Sequence, residues 1–198
     1  LRMGLALHNI ESNDPHMPVI RFIMRNDGLP EKSDCWECFQ PKLFHYIGAK
    51  LLEFIGLEKP GDADMQKKVL QLLNLVAAGI VLLIAWMFIY SQSRLYDEVK
   101  ILGFAFLALN PQFIGINSQV TNDTFLILFC VLAIYFAHLF LKQGRWEYYF
   151  LTTFFGVLAV LTKTNAWVSV IAITISLLIA ASVPQGERLK KLSYAVAY

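Results

Sequence analysis

Apolar and polar positions fall in long blocks along this chain, not in the short alternations of a soluble domain. Residues 69–90 read VLQLLNLVAAGIVLLIAWMFIY. A membrane helix needs about 20 mainly apolar residues at roughly 1.5 Å rise per residue, so this block predicts a full span. Trp86 and Tyr90 sit near one end, where interfacial aromatics belong. Further spans are predicted at residues 101–116, 125–141, 149–161 and 166–183. Asn110-Pro111 interrupts the first of these, and proline lacks the N–H that a helix interior uses, so a kink or early exit is expected there. Residues 1–9 read as the end of a first membrane helix, and residues 10–68 as one long outer loop. An all-α integral membrane protein is the fold class these blocks predict.

The outer loop carries its own helical periodicity. Residues 41–57, PKLFHYIGAKLLEFIGL, place Phe44, Ile47, Leu51, Leu52 and Ile55 as an apolar stripe. Lys42, His45, Lys50 and Glu53 are polar interruptions, and Pro41 suits a first helical position. Such a helix is expected to lie in the membrane interface, with a second short one at residues 18–25. Basic residues then set the orientation. Arg94, Lys100, Lys142, Arg145, Arg188, Lys190 and Lys191 fall in loops on one side, which is read as cytoplasmic. The short loops on the other side, 117–124 and 162–165, hold only Lys163.

One polar block breaks the pattern. Residues 109–124, LNPQFIGINSQVTNDT, pack amides, hydroxyls and a carboxylate beside apolar spans. Asn110, Gln112, Asn117, Ser118, Gln119, Thr121, Asn122 and Asp123 must meet water, each other or a ligand. Composition agrees with a membrane protein: 57% hydrophobic, 16% charged, mean hydropathy +0.51. A net charge of +2 gives no electrostatic case for nucleic acid. A new apolar turn begins at Leu192, Ala195 and Val196 just before the last residue, so the chain reads as a piece of a longer membrane protein. Cys130 reads as a small core residue. Cys35 and Cys38 form CWEC, open to three readings: a redox pair, half of a metal site with His45 the nearest further ligand, or a short-loop disulfide.

Three motifs taken in order resemble the polyprenyl-phosphate-sugar-dependent glycosyltransferases of the GT-C fold. The branch is that of the dolichyl-phosphate-mannose protein mannosyltransferases and the bacterial aminoarabinose transferases. ESNDPHMPVIRFIMRNDGLP is similar to the acidic segment after the family's first membrane helix. CWECFQPKLFHYIGA is similar to the aromatic-Q-P stretch that opens its second surface helix. LNPQFIGINSQVTNDTFLIL is close to its NPQ…NDxL pattern, and LTKTNA resembles a basic turn common there. The resemblance covers nearly the whole chain, as the N-terminal part of a family member, and implies a GT-C-like bundle of transmembrane helices with a large outer first loop.

The resemblance also implies a chemistry. A lipid-linked sugar phosphate gives its sugar to a protein, lipid or glycan acceptor at the outer membrane face. A carboxylate there serves as general base; Asp14 is the first candidate and Glu11 the second. The polyprenyl phosphate leaves with negative charge, which a cation stabilises. Lys163 is the first candidate, followed by Arg21, Lys42 and His16. Asn122 and Asp123 are expected to orient the first loop or bind substrate hydroxyls. No particular cofactor is indicated, though a divalent metal is compatible. The membrane is either a bacterial inner membrane, with the site facing the periplasm, or that of the endoplasmic reticulum, with the site facing the lumen.

Each residue also has a plainer reading. Asp14 before Pro15 can cap a short helix, and His16 can be a structural hydrogen-bonder. Lys163 can snorkel to an interface. Asn122 and Asp123 can cap the span that follows them. Two other functions stand beside transfer: a transporter or channel subunit, and a catalytically inactive relative acting as an assembly partner. A conducting protein predicts ionisable groups inside its spans. Here Gln71 and Asn74 are the main polar intrusions, and the other polar motifs collect at one face.

Overall fold

A computed structural model describes residues 1–8, 15–26, 28–92 and 95–182. Asp14 and Glu11 lie outside them. The described residues form nine α-helices and no strand. They are α1 (Arg2–His8), α2 (His16–Asn26), α3 (Leu43–Phe54), α4 (Ala63–Tyr90), α5 (Asp97–Ala108), α6 (Pro111–Asn117), α7 (Asp123–Gln143), α8 (Trp146–Thr162) and α9 (Trp167–Ser182). Helices α4 and α7 are long and apolar enough to cross a membrane. The predicted kink is present: α5 and α6 meet at 48° and make a third span if taken as one. Pro111 opens α6, and the Asn110 side chain accepts the Phe113 N–H at 2.9 Å, capping the new helix. Helices α8 and α9 are apolar but shorter.

Helix α4 starts at Ala63, six residues before the apolar block. Its extra turns carry Asp64, Gln66, Lys67 and Lys68. They hold the segments that precede α4. Lys68 Nζ donates to the Ala6 and Leu7 carbonyls at 2.6 and 2.9 Å, meeting the orphan acceptors at the end of α1. Gln66 accepts from Arg21 Nε at 3.1 Å and donates to the Leu57 carbonyl at 3.0 Å. Helices α2 and α3 are thereby tied to the head of α4.

Helix α3 buries Phe44, His45, Gly48, Ala49 and Leu52. This face is rotated from the predicted stripe. Ile47 and Leu51 are half-buried and Ile55 is exposed. The reason is fit. A Cβ on Gly48 would stand 3.1 Å from Leu70 Cδ2 and 3.4 Å from Ile20 Cδ1, so small residues face α2 and α4. Larger apolar residues move to the rim, and His45, read as an interruption, goes inside. Helix α7 packs on α8 through aromatic layers, with Phe129 and Phe136 each stacked on Phe155.

Between α6 and α7 the backbone leaves the helix at residues 118–122. Its carbonyls are met by amides on α4. Gln71 Nε2 donates to Ser118 O at 3.0 Å, and Asn74 Nδ2 donates to Gln119 O at 2.7 Å and Thr121 O at 3.0 Å. Thr124 Oγ1 donates to Asn117 Oδ1 at 3.0 Å. Asn74, Asn117 and Thr124 have no solvent exposure. Asn74→Leu removes the donor from the buried Thr121 carbonyl and the half-buried Gln119 carbonyl, which costs about 1–3 kcal/mol. A lower melting temperature in detergent is expected for this variant, while Val76→Ala on the exposed side of α4 stays near wild type. Equal melting of the two variants would remove the anchor role from Asn74.

Candidate functional site

The site is built from three segments far apart in sequence. A 3₁₀ turn, Trp36–Phe39, is closed by the Cys35–Cys38 disulfide. Of the three readings of CWEC, the structure takes the disulfide. The turn buries Glu37 and Cys38 and leaves Trp36 79% exposed. The Gln40 amide donates to the Glu37 carboxylate. Lys42 Nζ donates to the carbonyls of Cys38 and Gln40, the latter at 2.6 Å. Burial pushes the Lys42 amine below its ordinary range, and the Glu37 charge works against that shift.

Gln40 carries the contact to the second segment. Its Oε1 accepts from Asn122 Nδ2 at 2.7 Å, across 82 positions of sequence. The same amide nitrogen points at the Thr162 carbonyl at 3.4 Å, on the third segment. Asn122 has no solvent exposure. Beside it, Asp123 Oδ1 pairs with Lys163 Nζ at 2.6 Å, both groups partly exposed. The helix-cap reading of Asn122 therefore gives way. It sits at the N-cap position of α7 without a capping side-chain bond and spends its amide on bridging. The Lys163 ammonium is held by a carboxylate.

A second cluster adjoins the turn. His16 Nδ1 and His45 Nε2 lie 3.0 Å apart, with the rings 1% and 0% exposed. Phe44 stands edge-on to both rings and packs on Phe125 of α7 at 5.4 Å. Burial, reinforced by His16 and Lys42, lowers the His45 pKa to about 3, so this ring is neutral under physiological conditions.

The structure thus gathers Lys42, Asn122, Asp123 and Lys163, with His16 next to them through His45 and Phe44. Arg21 stands apart, engaged with Gln66. Sequence reasoning missed Gln40 and His45 as site residues. Gln40 stood in a quoted motif, and its bridging role has no local signal. Among the described residues no three of His, Cys, Asp and Glu gather closely enough to hold a metal ion. An apolar cavity of about 660 Å³ opens between α7, α8 and α9, lined by Phe140, Trp146, Gly156 and Leu177 among others. None of the candidate site residues lines it.

The model of the dolichyl-phosphate-mannose-protein mannosyltransferase family matches residues 67–198. The chain belongs to this family. It is a family of membrane glycosyltransferases of the GT-C type. No curated protein and no solved structure gives a match. The matched stretch includes Asn122, Asp123 and Lys163. Asp14, His16, Gln40 and Lys42 precede it, and the Gln40–Asn122 and Phe44–Phe125 contacts are among those that join the stretch before α4 to the mannosyltransferase-family segment.

The buried His45 makes stability depend on pH in a defined direction. Its folded pKa lies below the roughly 6.5 of an unfolded histidine. Between these values the unfolded chain binds a proton that the folded chain refuses. The contribution is therefore whole above about pH 6.5 and is lost progressively as pH falls toward 3. Melting of detergent-solubilised protein across this window is expected to show a shallower pH slope in His45→Gln, by up to about 1.4 kcal/mol per pH unit. Identical slopes would mean that the ring takes a proton freely in the fold.

Proposed function

We propose that the protein moves a sugar from a polyprenyl-phosphate-linked donor to an acceptor hydroxyl at the outer face of the membrane. The observation that carries this reading is the convergence of three motif segments, around Gln40, Asn122–Asp123 and Thr162–Lys163, in a chain of the mannosyltransferase family. Polar groups in such a place are costly to gather and hold without a polar task. Asp14 is the general base in this proposal, with Glu11 as the second candidate. The carboxylate takes the acceptor proton as the hydroxyl oxygen attacks the anomeric carbon, and the phosphate oxygen leaves with the bonding pair.

Lys163 and Lys42 are the cations proposed for the phosphate. Both are already engaged, one by Asp123 and one by backbone carbonyls. An ammonium has three donors, so each can keep its anchor and still turn a proton toward an anion. Asp123 holds Lys163 in place and tempers its charge before the donor arrives. Asn122 and His16 are proposed to bind or orient the sugar phosphate. Arg21 fits the proposal less well, because Gln66 occupies its Nε.

The polar intrusions in α4 favour transfer over conduction. Gln71 and Asn74 do not line a path; they bind the carbonyls of the 118–121 turn. The test is sugar transfer from a panel of radiolabelled polyprenyl-phosphate sugars by membranes carrying the protein. Asp14→Asn is expected to lower the rate by about 10²–10⁴ with insertion unchanged. Lys163→Met is expected to lower it by about tenfold or more. Full activity in Asp14→Asn together with loss in Glu11→Gln moves the base to Glu11. Absence of transfer from every donor would sink the transferase reading.

A further inference from the structure

The two ends of the Cys35–Cys38 disulfide stand in different surroundings. Cys38 is 2% exposed and belongs to the hydrophobic core. Cys35 is half-buried, and its chain neighbours Lys32, Ser33, Asp34 and Trp36 are exposed. The Cys35 end is therefore open to an incoming nucleophile and the Cys38 end is closed. When a thiolate attacks a disulfide, one sulfur takes the incoming thiol and the other leaves with the bonding pair. The Lys42 ammonium donates to the Cys38 carbonyl, so a cation stands at the residue whose sulfur takes the leaving charge. The carboxylates of the turn are turned to other donors. Asp34 accepts the Glu31 N–H at 2.7 Å, and Glu37 accepts the Gln40 amide. The bond also does little for the fold, because the restraint it places on the unfolded chain falls with loop length and its ring spans four residues. Exposure at one end, a cation at the other and a small structural duty are features of an exchangeable disulfide.

We propose that CWEC is a thiol–disulfide exchange site, attacked at Cys35 by a dithiol, and that its reduction loosens the turn that seats Gln40 on Asn122 and so lowers transfer. In the first step one thiolate of the dithiol bonds to Cys35 Sγ. The Cys35–Cys38 bond breaks, and its electron pair leaves on Cys38 Sγ, which takes up a proton. In the second step the other thiolate of the dithiol attacks its own sulfur in the mixed disulfide and releases Cys35, which is protonated in turn. The dithiol loses two electrons and two protons and becomes a disulfide; the two cysteines gain them. Of the bonds that shape the turn, the Cys38 N–H to the Cys35 carbonyl at 3.0 Å and the Gln40 N–H to the Glu37 carbonyl at 3.2 Å remain. Both span three residues, a poorer geometry than that of an α-helix. Gln40 meets Asn122 through a single hydrogen bond of 2.7 Å, so a shift of the turn is felt there directly. The effect on transfer rests on the transferase reading above, whereas the exchange does not depend on it.

The deciding experiment uses the full chain in nanodiscs, with Cys130→Ser removing the third thiol. Dithiothreitol is the dithiol probe, and thiols are counted by the mass that a maleimide adds. Two thiols are expected to appear without denaturant, and oxidised glutathione is expected to close them again. A bond that yields only after denaturation would overturn the exchange site. The order of attack is read from single-cysteine variants. The thiol of Cys38→Ser is expected to react with an aromatic disulfide reagent about tenfold or more faster than that of Cys35→Ser. Equal or reversed rates would overturn attack at Cys35. If either variant fails to insert, reduction of the folded chain decides the exchange site alone. Reduction is expected to speed hydrogen exchange at the Cys38 and Gln40 amides by about tenfold or more. The Tyr46 amide, bonded to the Lys42 carbonyl at 2.8 Å, is expected to stay unchanged. Unaltered exchange at Gln40 would overturn the loosening. In the sugar-transfer assay, reduction is expected to lower the rate by about threefold or more, and oxidised glutathione to restore it. An undiminished rate in reduced, active protein would overturn control of the site. If the oxidised protein transfers no sugar, the transferase reading fails and thiol counting still decides the exchange site.

Discussion

Backbone outside a helix cannot face lipid with unmet N–H and C=O groups, and the turn between α6 and α7 is such backbone. Two side chains of α4 answer that constraint. Gln71 and Asn74 donate to three successive regions of the turn, at Ser118, Gln119 and Thr121. With its carbonyls held, the turn delivers Asn122 and Asp123 to the head of α7 in a fixed place. From there the Asn122 amide reaches Gln40 of the outer loop and the Asp123 carboxylate reaches Lys163. A spanning helix with two polar side chains in it is therefore the support on which the site is assembled.

Among the described residues, the charged groups gathered at the site are each restrained by a partner close by. Asp123 and Lys163 form an ion pair, Glu37 receives the Gln40 amide, and Lys42 is wrapped by carbonyls. His45 escapes charge by refusing a proton. Isolated charges at low dielectric are expensive, and pairing lowers that cost without removing the groups. The arrangement is therefore nearly neutral at rest and can still respond to an arriving anion. An ammonium already turned toward a carboxylate needs only a small rotation to share its donors with phosphate.

The sequence revealed what hydropathy controls and concealed what contact controls. The long apolar blocks located α4 and α7, and Asn110-Pro111 located the bend between α5 and α6. The start of α4 was legible only in part, because residues 63–68 are polar and their helicity comes from continuing the span and docking α1 and α2. The face of α3 was misjudged because periodicity ranks residues by apolarity. Packing ranks them by fit, and Gly48 and Ala49 won the close approach. The polar block at 109–124 was legible as a candidate site because lipid forbids it. Its partners were not, since Gln40 stands 82 positions from Asn122 and nothing local marks the pair.

The disulfide belongs to the same local logic. Its ring closes only the four residues Cys35 to Cys38, and a loop that short restrains the unfolded chain by about 2 kcal/mol, near the low end for such bonds. The helix packing of α2, α3, α4 and α7 carries the fold without it. What the bond controls is the shape of one turn, in which Glu37 points inward, Trp36 points out, and the Cys38 carbonyl meets Lys42. That turn sets where Gln40 begins, and Gln40 is the residue through which the outer loop touches Asn122. A covalent clamp two residues from a single long-range hydrogen bond makes that bond a matter of geometry rather than of chance encounter. The stretch before α4, which supplies much of the candidate site, is thus held to the long helices here as well as through Lys68, Gln66 and the packing of Phe44 and Gly48.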